Sequence, residues 1–256
     1  MEIFKVENLS FAYPESEKNA VDGVSFTVND GEFITLCGKS GCGKTTLLRL
    51  LKSSLSPQGN TNGSITYLGK SISTLSPRED AQNIGFVFQN PEFQICCDKV
   101  WHELAFGLES LGLPEDEIRL RVSETSSFFG ISHLFHKNVS ELSGGQKQLV
   151  CLASVMVMNP KVLILDEPTS SLDPISAKHF IESVKRVNTE MGVTVIMSEQ
   201  RLNEVLPISD RVIVMDRGKI YADGSVRVVA KRLFEERHEM FTAFPSQMRI
   251  YASVEN

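Results

Sequence analysis

One glycine-rich stretch constrains the fold of this chain more than any other feature. The apolar run Phe33-Ile34-Thr35-Leu36 precedes Gly38-Lys39-Ser40-Gly41-Cys42-Gly43-Lys44-Thr45, and the helix-like run Thr46-Leu47-Leu48-Arg49-Leu50-Leu51 follows it. Glycines let the backbone turn tightly and present successive N–H groups to phosphate oxygens. The positive end of a following helix favours the same anion. We therefore predict a strand, a phosphate-binding loop and a helix in this order.

Two side chains at the end of this loop suit a nucleoside triphosphate with Mg²⁺. Lys44 can reach the β- and γ-phosphates, and the Thr45 hydroxyl can take a coordination position of the metal. Cys42 lies near Lys44, which could favour a thiolate, but a small residue that fits the loop is the interpretation we favour. The loop thus predicts binding of a nucleoside triphosphate with magnesium.

Composition and charge exclude several functional classes. The chain has 256 residues and a formal net charge of −6, so it offers no global basic field to nucleic acid. No apolar run approaches the ~20 residues that cross a bilayer, and the first residues lack a signal-peptide pattern. The five cysteines form no CxxC pair and no zinc-like spacing, which fits a reducing compartment. We expect a cytosolic chain without its own membrane span, and its acidity disfavours a nucleic-acid partner without deciding the question on charge alone.

Hydrophobic patterns predict an α/β fold with a mixed, largely parallel core sheet, an antiparallel β subdomain and a helical subdomain. The predicted β segments are residues 2–13, 24–36, 64–67, 84–88, 162–165, 193–197 and 211–222. The predicted helices are 99–136, with a new helix starting at Pro114, 144–158, 174–190 and a last one capped by Ser225. Residues 53–64 are predicted to form a loop. We predict one nucleotide-binding domain over 1–225, with the helical subdomain at about 90–158, and a C-terminal helix and tail or linker over 226–256.

Three polar residues that follow apolar strands are predicted to act on the triphosphate. Asp166, after the run 162–165, can hold the Mg²⁺, and Glu167 can accept a hydrogen bond from the water that attacks the γ-phosphorus. A solvated turn is the minor interpretation of this acid pair, because the preceding strand is so apolar. Gln89, after the run 84–88, can bind the water shell of the metal and sense the γ-phosphate. Hydrolysis of the triphosphate, rather than its storage, is therefore predicted.

A second anion-binding element is predicted at Leu142-Ser143-Gly144-Gly145-Gln146. Ser143 stands as an N-cap before two glycines at the start of a helix, an arrangement that suits phosphate. A single nucleotide can use both elements only if they lie on opposite sides of it. The sequence thus predicts a head-to-tail dimer, in which each nucleotide contacts the loop of one chain and the helix end of the other.

Together these motifs closely resemble the ATP-binding cassette of ABC transporters over about residues 3–225. The resemblance is carried by Gly38–Thr45, Gln89, Leu142–Gln146, Leu165-Asp166-Glu167-Pro168 and Ser171-Leu172-Asp173. It implies that Tyr13, which alone would more often be a packing aromatic, stacks on adenine. The residues that the resemblance assigns to ATP are Tyr13, Gly38, Lys39, Ser40, Gly41, Cys42, Gly43, Lys44, Thr45, Thr46, Ser143, Gly144, Gly145 and Gln146. The residues that it assigns to Mg²⁺ are Thr45, Gln89 and Asp166, and the catalytic ones are Glu167, Gln200 and Gln89.

A finer resemblance concerns the ATPases of energy-coupling-factor importers. Residues 88–95 and 100–108 look like the corresponding segments of those ATPases, and 243–251 is similar to the region that joins the two cassettes of their tandem versions. This implies an ATP-hydrolysing subunit, peripheral on the cytoplasmic face of the cell membrane, that drives uptake of a vitamin or metal ion. The implied partners are an integral membrane coupling subunit, a substrate-binding membrane component and a second cassette. That cassette is the other subunit of a heterodimer or the other half of a tandem protein, and a homodimer can form in isolation. Two alternatives stay open: a soluble ABC ATPase of DNA repair or translation, and a weakly hydrolysing regulatory subunit.

One position departs from the pattern of the resembled family. Where that family has a histidine that contacts the γ-phosphate, this chain has Gln200 within Ser198-Glu199-Gln200-Arg201. Glutamine can still donate a hydrogen bond, but it lacks the geometry and protonation options of imidazole. We expect an asymmetric heterodimer, in which the site built on this chain's Lys44, Glu167 and Gln200 turns over slowly. The other interpretation is that Gln200 substitutes well enough for the histidine.

Overall fold

The computed structural model describes residues 1–254, which form two β-sheets and the helices that cover them. The strands are β1 (Glu2–Ala12), β2 (Val21–Asn29), β3 (Phe33–Gly38), β4 (Asn60–Tyr67), β5 (Lys70–Ser71), β6 (Ile84–Val87), β7 (Val162–Asp166), β8 (Thr194–Ser198), β9 (Arg211–Asp216) and β10 (Lys219–Gly224). The helices are α1 (Lys44–Leu50), α2 (Pro77–Asn83), α3 (Val100–Ser110), α4 (Glu115–Phe128), α5 (Gly144–Met156), α6 (Pro174–Met191), α7 (Leu202–Val205), α8 (Val226–Glu235) and α9 (Ser246–Val254). Within this part of the chain, no helix combines the length and apolar content needed to cross a membrane.

The larger sheet brings the predicted site residues to one edge. Its strand order is β10-β9-β3-β8-β7-β6, parallel from β9 to β6, with β10 antiparallel to β9. The carboxyl ends of β3, β8 and β7 are therefore neighbours, and the chain leaves them at Gly38, Ser198 and Asp166. In open sheets of this kind, ligands bind outside the carboxyl ends of the strands. The mixed, largely parallel sheet expected from the sequence thus positions the phosphate-binding loop beside the acid pair.

Both faces of this sheet are covered, which explains why its central strands β3, β7 and β8 are buried at every position and mostly apolar. Val162 and Ile164 of β7 belong to a core shared with α1 and the antiparallel sheet β2-β1-β4-β5. Leu163 and Leu165 face the opposite way, into a core shared with α3, α5 and α6. Alternate residues of one strand therefore hold the antiparallel subdomain on one side and the helices on the other.

The region between α1 and β6 differs from its prediction. Strand β4 begins at Asn60, within the predicted loop 53–64. The first residues of this strand are polar and exposed, so no apolar alternation marks them, and backbone pairing to the end of β1 holds them instead. Helix α2 was not predicted, although Ser76 and Glu79 form a capping box at its start.

The C-terminal region also differs from its prediction, which was one helix followed by a tail or linker. Within the described residues, the Ser225 side chain accepts no capping hydrogen bond at the start of α8. Helix α8 is followed by a 3₁₀ turn over Glu239–Ala243 and by α9, so it is not the last helix. Phe244 and Ala252 are buried in the same core as α8, because this segment folds back on the domain. The last two residues of the predicted region 226–256 lie outside the described residues.

A buried ion pair fixes the position of the helix that follows the phosphate-binding loop. The Lys52 ammonium group donates hydrogen bonds to the carbonyls of Asp80 at 2.9 Å and Ile84 at 2.6 Å, and it lies 3.3 Å from the Asp80 carboxylate. The same carboxylate, 1% exposed, accepts hydrogen bonds from the backbone of Ser53 and Ser54. Burial lowers the pKa of Lys52. The pair thereby ties the end of α1 to α2 and to the first residue of β6.

We expect Asp80→Ala to destabilise the fold by about 3–5 kcal/mol, because it leaves the Lys52 ammonium group buried without its partner. Urea unfolding at neutral pH measures this free energy. Asp116→Ala, at an exposed aspartate in the first turn of α4, is the matched control and should cost less than about 1 kcal/mol. An equally small decrease in the free energy of unfolding in both variants would contradict the structural role of the pair.

Candidate nucleotide-binding site

The loop between β3 and α1 can be built only with glycine at two of its positions. Gly38 and Gly43 have φ of 150° and 106°, in the region that favours glycine. A Cβ at Gly38 would lie 2.3 Å from the carbonyl oxygen of Met215, and one at Gly43 would lie 2.2 Å from that of Ala20. At these two glycines, the backbone of the loop therefore packs directly against the backbone of Met215 and Ala20, with no room for a side chain.

The Lys44 side chain is held inside this loop. It is 3% exposed, and its ammonium group donates hydrogen bonds to the carbonyls of Gly38 at 2.9 Å and Lys39 at 3.2 Å. The same group lies 3.3 Å from the Glu167 carboxylate. A γ-phosphate bound at this loop would therefore compete with Glu167 for the charge of Lys44.

Two of the three predicted Mg²⁺ ligands, Thr45 and Asp166, are joined by a hydrogen bond. The hydroxyls of Thr45 and Ser198 donate to the same oxygen of Asp166, at 3.0 Å and 2.9 Å. Burial raises the pKa of this carboxyl group, although both hydroxyls oppose the shift. Hydroxyl, amide and carboxylate oxygens are ligands that Mg²⁺ prefers, and the metal usually takes one or two carboxylates together with substrate phosphates. Thr45, Asp166 and Gln89 fit that donor set.

Glu167 contacts two other residues of the predicted site, Lys44 and Gln200. Its backbone N–H donates to the hydroxyl and the carbonyl of Ser198, at 2.9 Å and 3.1 Å, which fixes it at the end of β7 with a φ of 43°. One carboxylate oxygen faces Lys44, and the other accepts a hydrogen bond of 2.7 Å from the side-chain amide of Gln200. The predicted catalytic residues Glu167 and Gln200 are therefore in direct contact.

An open cleft of about 430 Å³ lies over these residues. It is lined by Tyr13, Ala20, Ser40, Gly41, Gly43, Lys44, Thr45, Thr46, Gln89, Glu167 and Gln200. The Tyr13 hydroxyl lies 3.0 Å from that of Thr46, and the residue is 39% exposed, which leaves a surface on which a base can stack. The cleft thus brings together most of the residues that the sequence assigns to ATP, Mg²⁺ and catalysis.

Several predicted nucleotide contacts lie outside this cleft. The Lys39 side chain forms an ion pair with Glu239 of the C-terminal 3₁₀ turn instead. Cys42 is buried, and burial raises the pKa of its thiol, so a reactive thiolate is not favoured there. This supports its interpretation as a small residue that fits the loop. Gly38 contributes a carbonyl to Lys44 rather than a surface to the cleft.

The second predicted anion-binding element is separate from the cleft. Ser143 and Gln146 form a capping box at the start of α5, and Ser143 and Gly144 are exposed. Residues 143–146 are not among the described residues that line the cleft. A Cβ at Gly145 would lie 2.7 Å from the hydroxyl oxygen of Ser176 in α6, so this glycine lets the two helices approach closely. Each chain therefore presents two distinct candidate phosphate-binding surfaces.

The sequence analysis missed two contributors to the site. Ser198 holds both Asp166 and Glu167, and the buried carboxylate of Glu199 lies directly before Gln200. The only sequence signal for Ser198 is its position at the end of an apolar strand. Its importance depends on the pairing of β7 with β8, in which Asp166 stands opposite Ser198.

Sequence comparison finds relatives among ABC transporters. The family profile described as ABC transporter matches residues 21–170. A putative ABC transporter ATP-binding protein of Bacillus anthracis is 48% identical over 244 residues, which are 95% of this chain and 44% of that protein. The putative HMP/thiamine import ATP-binding protein YkoD of Bacillus subtilis is 40% identical over 243 residues, 93% of this chain and 44% of that protein. The chain thus spans less than half the length of these curated relatives.

Solved structures confirm the fold. The cbiO1 protein of Clostridium perfringens, described as part of the ABC transporter complex cbiONQ, matches with a TM-score of 0.80 at 33% identity, over 100% of this chain and 99% of that one. An ATP-binding cassette of an ABC transporter in its ADP conformation matches with a TM-score of 0.75 at 29% identity, over 88% and 91% of the two chains. The P-loop α/β fold predicted from the sequence is the fold of these cassettes.

Two lysines of the same loop give a matched test of the site. We expect Lys44→Ala to weaken ATP affinity about tenfold to a hundredfold, because a charge-assisted hydrogen bond contributes about 1.5–3 kcal/mol. Lys39→Ala should leave the affinity within about threefold of the original, because its side chain contacts Glu239 outside the cleft. Titration with a fluorescent ATP analogue measures both. An equal loss of ATP affinity in the two variants would contradict the assignment of this cleft as the ATP site.

Proposed function

We propose that this chain, which belongs to the ABC transporter family as one of its ATP-hydrolysing domains, energises an importer of the energy-coupling-factor type. ATP and Mg²⁺ are the standard requirement of this family. The observation that carries the proposal is the contact of Glu167 with both Lys44 and Gln200 at the wall of one cleft. Those three side chains are a carboxylate, a cation and an amide, which are the groups that hydrolysis of a γ-phosphate requires.

The chemistry assigns one role to each of these side chains. Lys44 leaves Glu167 for the phosphates and balances their negative charge. Glu167 then has a free carboxylate oxygen that accepts a hydrogen bond from the attacking water and orients it. The Gln200 amide keeps its hydrogen bond to the other oxygen of Glu167 or donates one to the γ-phosphate. Thr45, Asp166 and Gln89 would hold Mg²⁺, which would neutralise phosphate charge when bound.

A second cassette is part of the proposal. Residues 143–146 lie outside the cleft, with Ser143 and Gly144 exposed, so a nucleotide in a cleft would use them only when they come from another cassette. Curated relatives are more than twice as long as the matched region, which leaves room for a second cassette in the same protein. We therefore propose that the chain pairs with another cassette, as one half of a tandem protein or one subunit of a heterodimer. Closure on ATP and reopening after hydrolysis would drive the membrane partner.

The proposed cargo is a vitamin or a metal ion, taken up through membrane partners. Support comes from YkoD, named for HMP/thiamine import, and from cbiO1, described as part of the cbiONQ complex. We place the docking surface for the membrane coupling subunit between Gln89 and the helical subdomain. Phe93 supports this, because it is 81% exposed on a 3₁₀ turn four residues after Gln89. The chain would then work on the cytoplasmic face of the membrane.

Substitution of Gln200 tests the proposed difference between the two sites of the pair. We expect Gln200→His to raise the steady-state ATPase rate of the purified chain about tenfold or more, the effect of one restored transition-state contact. The rate should rise more steeply than linearly with protein concentration, because each site needs two chains. Glu167→Gln, which removes the water-orienting carboxylate, sets the background. Equal, fast rates for the chain and its histidine variant would mean that Gln200 is a competent substitute.

Substitution of Phe93 tests the docking surface. We expect Phe93→Ser to weaken binding of the chain to membrane vesicles that carry its coupling subunit by about tenfold or more, the effect of losing an aromatic anchor. The ATPase rate of the isolated chain should not change. Val228→Ser is the matched control, at an apolar residue that is 61% exposed on α8. Co-sedimentation with the vesicles measures binding, and unchanged binding of the Phe93 variant would contradict this surface.

A further inference from the structure

We propose that Glu199 is a positioning residue for hydrolysis, which holds Gln200 in place against Glu167. This inference rests on the proposed hydrolysis of ATP at the chain's own site. Glu199 is 2% exposed and is not among the described residues that line the cleft, so it acts through its neighbours rather than on the substrate.

The carboxylate of Glu199 is bound by donors from two loops. One oxygen accepts hydrogen bonds from the backbone N–H groups of Gln200 at 2.8 Å and Arg201 at 3.0 Å. The other oxygen accepts a hydrogen bond of 2.7 Å from the hydroxyl of Thr169, which is completely buried. We call residues 199–201 the β8 loop and residues 167–173 the β7 loop. The carboxylate therefore joins the β8 loop to the β7 loop.

The two loops are joined again on the side of the cleft. The amide of Gln200 donates to the carboxylate of Glu167 at 2.7 Å, and Thr169 follows Glu167 by two residues. The contacts thus form a closed ring, which runs from Glu167 to Gln200, through Glu199 to Thr169 and back along the chain. A further hydrogen bond of 2.6 Å, from the Arg201 guanidinium group to the Leu172 carbonyl, fastens the same two loops. The orientation of Gln200 is therefore fixed by its backbone as well as by its side chain.

An apolar residue in place of Glu199 would avoid the cost of burying a carboxylate, but it would leave three donors without an acceptor. The two backbone N–H groups follow the end of β8, where the strand no longer supplies their partners. Without the carboxylate, the β8 loop would rotate until water or another acceptor met these groups. A displacement of about 1 Å at a group that orients a reactant can cost about 10²-fold in rate.

Two variants of Glu199 separate positioning from the presence of a charge. Glu199→Met keeps the shape of the side chain but removes every acceptor, and we expect kcat to fall about tenfold to a hundredfold with little change in KM for ATP. Glu199→Gln keeps one carbonyl oxygen for the two backbone donors, and its amide can donate to Thr169. This variant should retain kcat within about threefold of the original.

The same substitution in a second background tests whether Glu199 acts through Gln200. In a Gln200→Ala chain, Glu199→Met should change kcat by less than about twofold, because the positioned side chain is already gone. An equal fall of kcat in both backgrounds would overturn the proposal and leave a purely structural role. Unchanged kcat in the original background would also overturn it. Thermal unfolding shows whether Glu199→Met folds. If it does not, Thr169→Val replaces it, because this variant removes one donor to the same carboxylate. Its kcat should also fall in the original background and change by less than about twofold in the Gln200→Ala background.

Failure of the proposed function gives a different result. A chain whose ATPase rate equals that of its Glu167→Gln variant at every protein concentration does not hydrolyse ATP at this site. That result would overturn the proposed function and this inference together. A rate above that background, with Glu199→Met equal to the original chain, would overturn only the role of Glu199.

Discussion

The ion pair between Lys44 and Glu167 joins the two loops on which the candidate site depends. The ammonium group belongs to the loop after β3, and the carboxylate belongs to the loop after β7, so the contact of 3.3 Å exists only because the sheet places these strand ends close together. Both side chains are largely withdrawn from water, and charges in such positions must be paired and hydrogen-bonded. Lys44 meets this need with two loop carbonyls, and Glu167 meets it with Gln200. Each partner therefore fixes the position of the other.

Much of this arrangement could be predicted from the sequence, because its determinants are local. The spacing of glycines before Lys44 indicates the loop, and the polar residues Gln89, Asp166 and Glu167 stand directly after apolar runs. A parallel sheet collects such strand ends at one edge whatever its detailed register. Ser198 and Glu199 could not be found in this way. Their roles depend on which residues of β7 and β8 stand side by side and on which side chains turn inward.

Two of the differences in the fold also depend on contacts between distant segments, and one does not. The early start of β4 is due to pairing with β1, for which the polar residues of that stretch give no pattern. Helix α2 is the exception, since the Ser76 and Glu79 capping box at its start is a local signal in the sequence. The direction of the Lys39 side chain follows from the fold of the C-terminal segment, which brings Glu239 to the loop. The start of β4 and the direction of the Lys39 side chain are thus set by contacts between segments far apart in the chain, which local sequence patterns do not show.

The three residues Ser198, Glu199 and Gln200 make contact with three different parts of the domain: the acid pair, the buried Thr169 and the wall of the cleft. The ring around Gln200 uses its backbone N–H and the side chain of its neighbour, so most of the support does not depend on which side chain stands at this position. A change of side chain at position 200 would therefore leave the hydrogen bonds of the Glu199 carboxylate in place. If the proposed asymmetry holds, two cassettes with the same architecture would hydrolyse ATP at different rates, and one codon would set the difference.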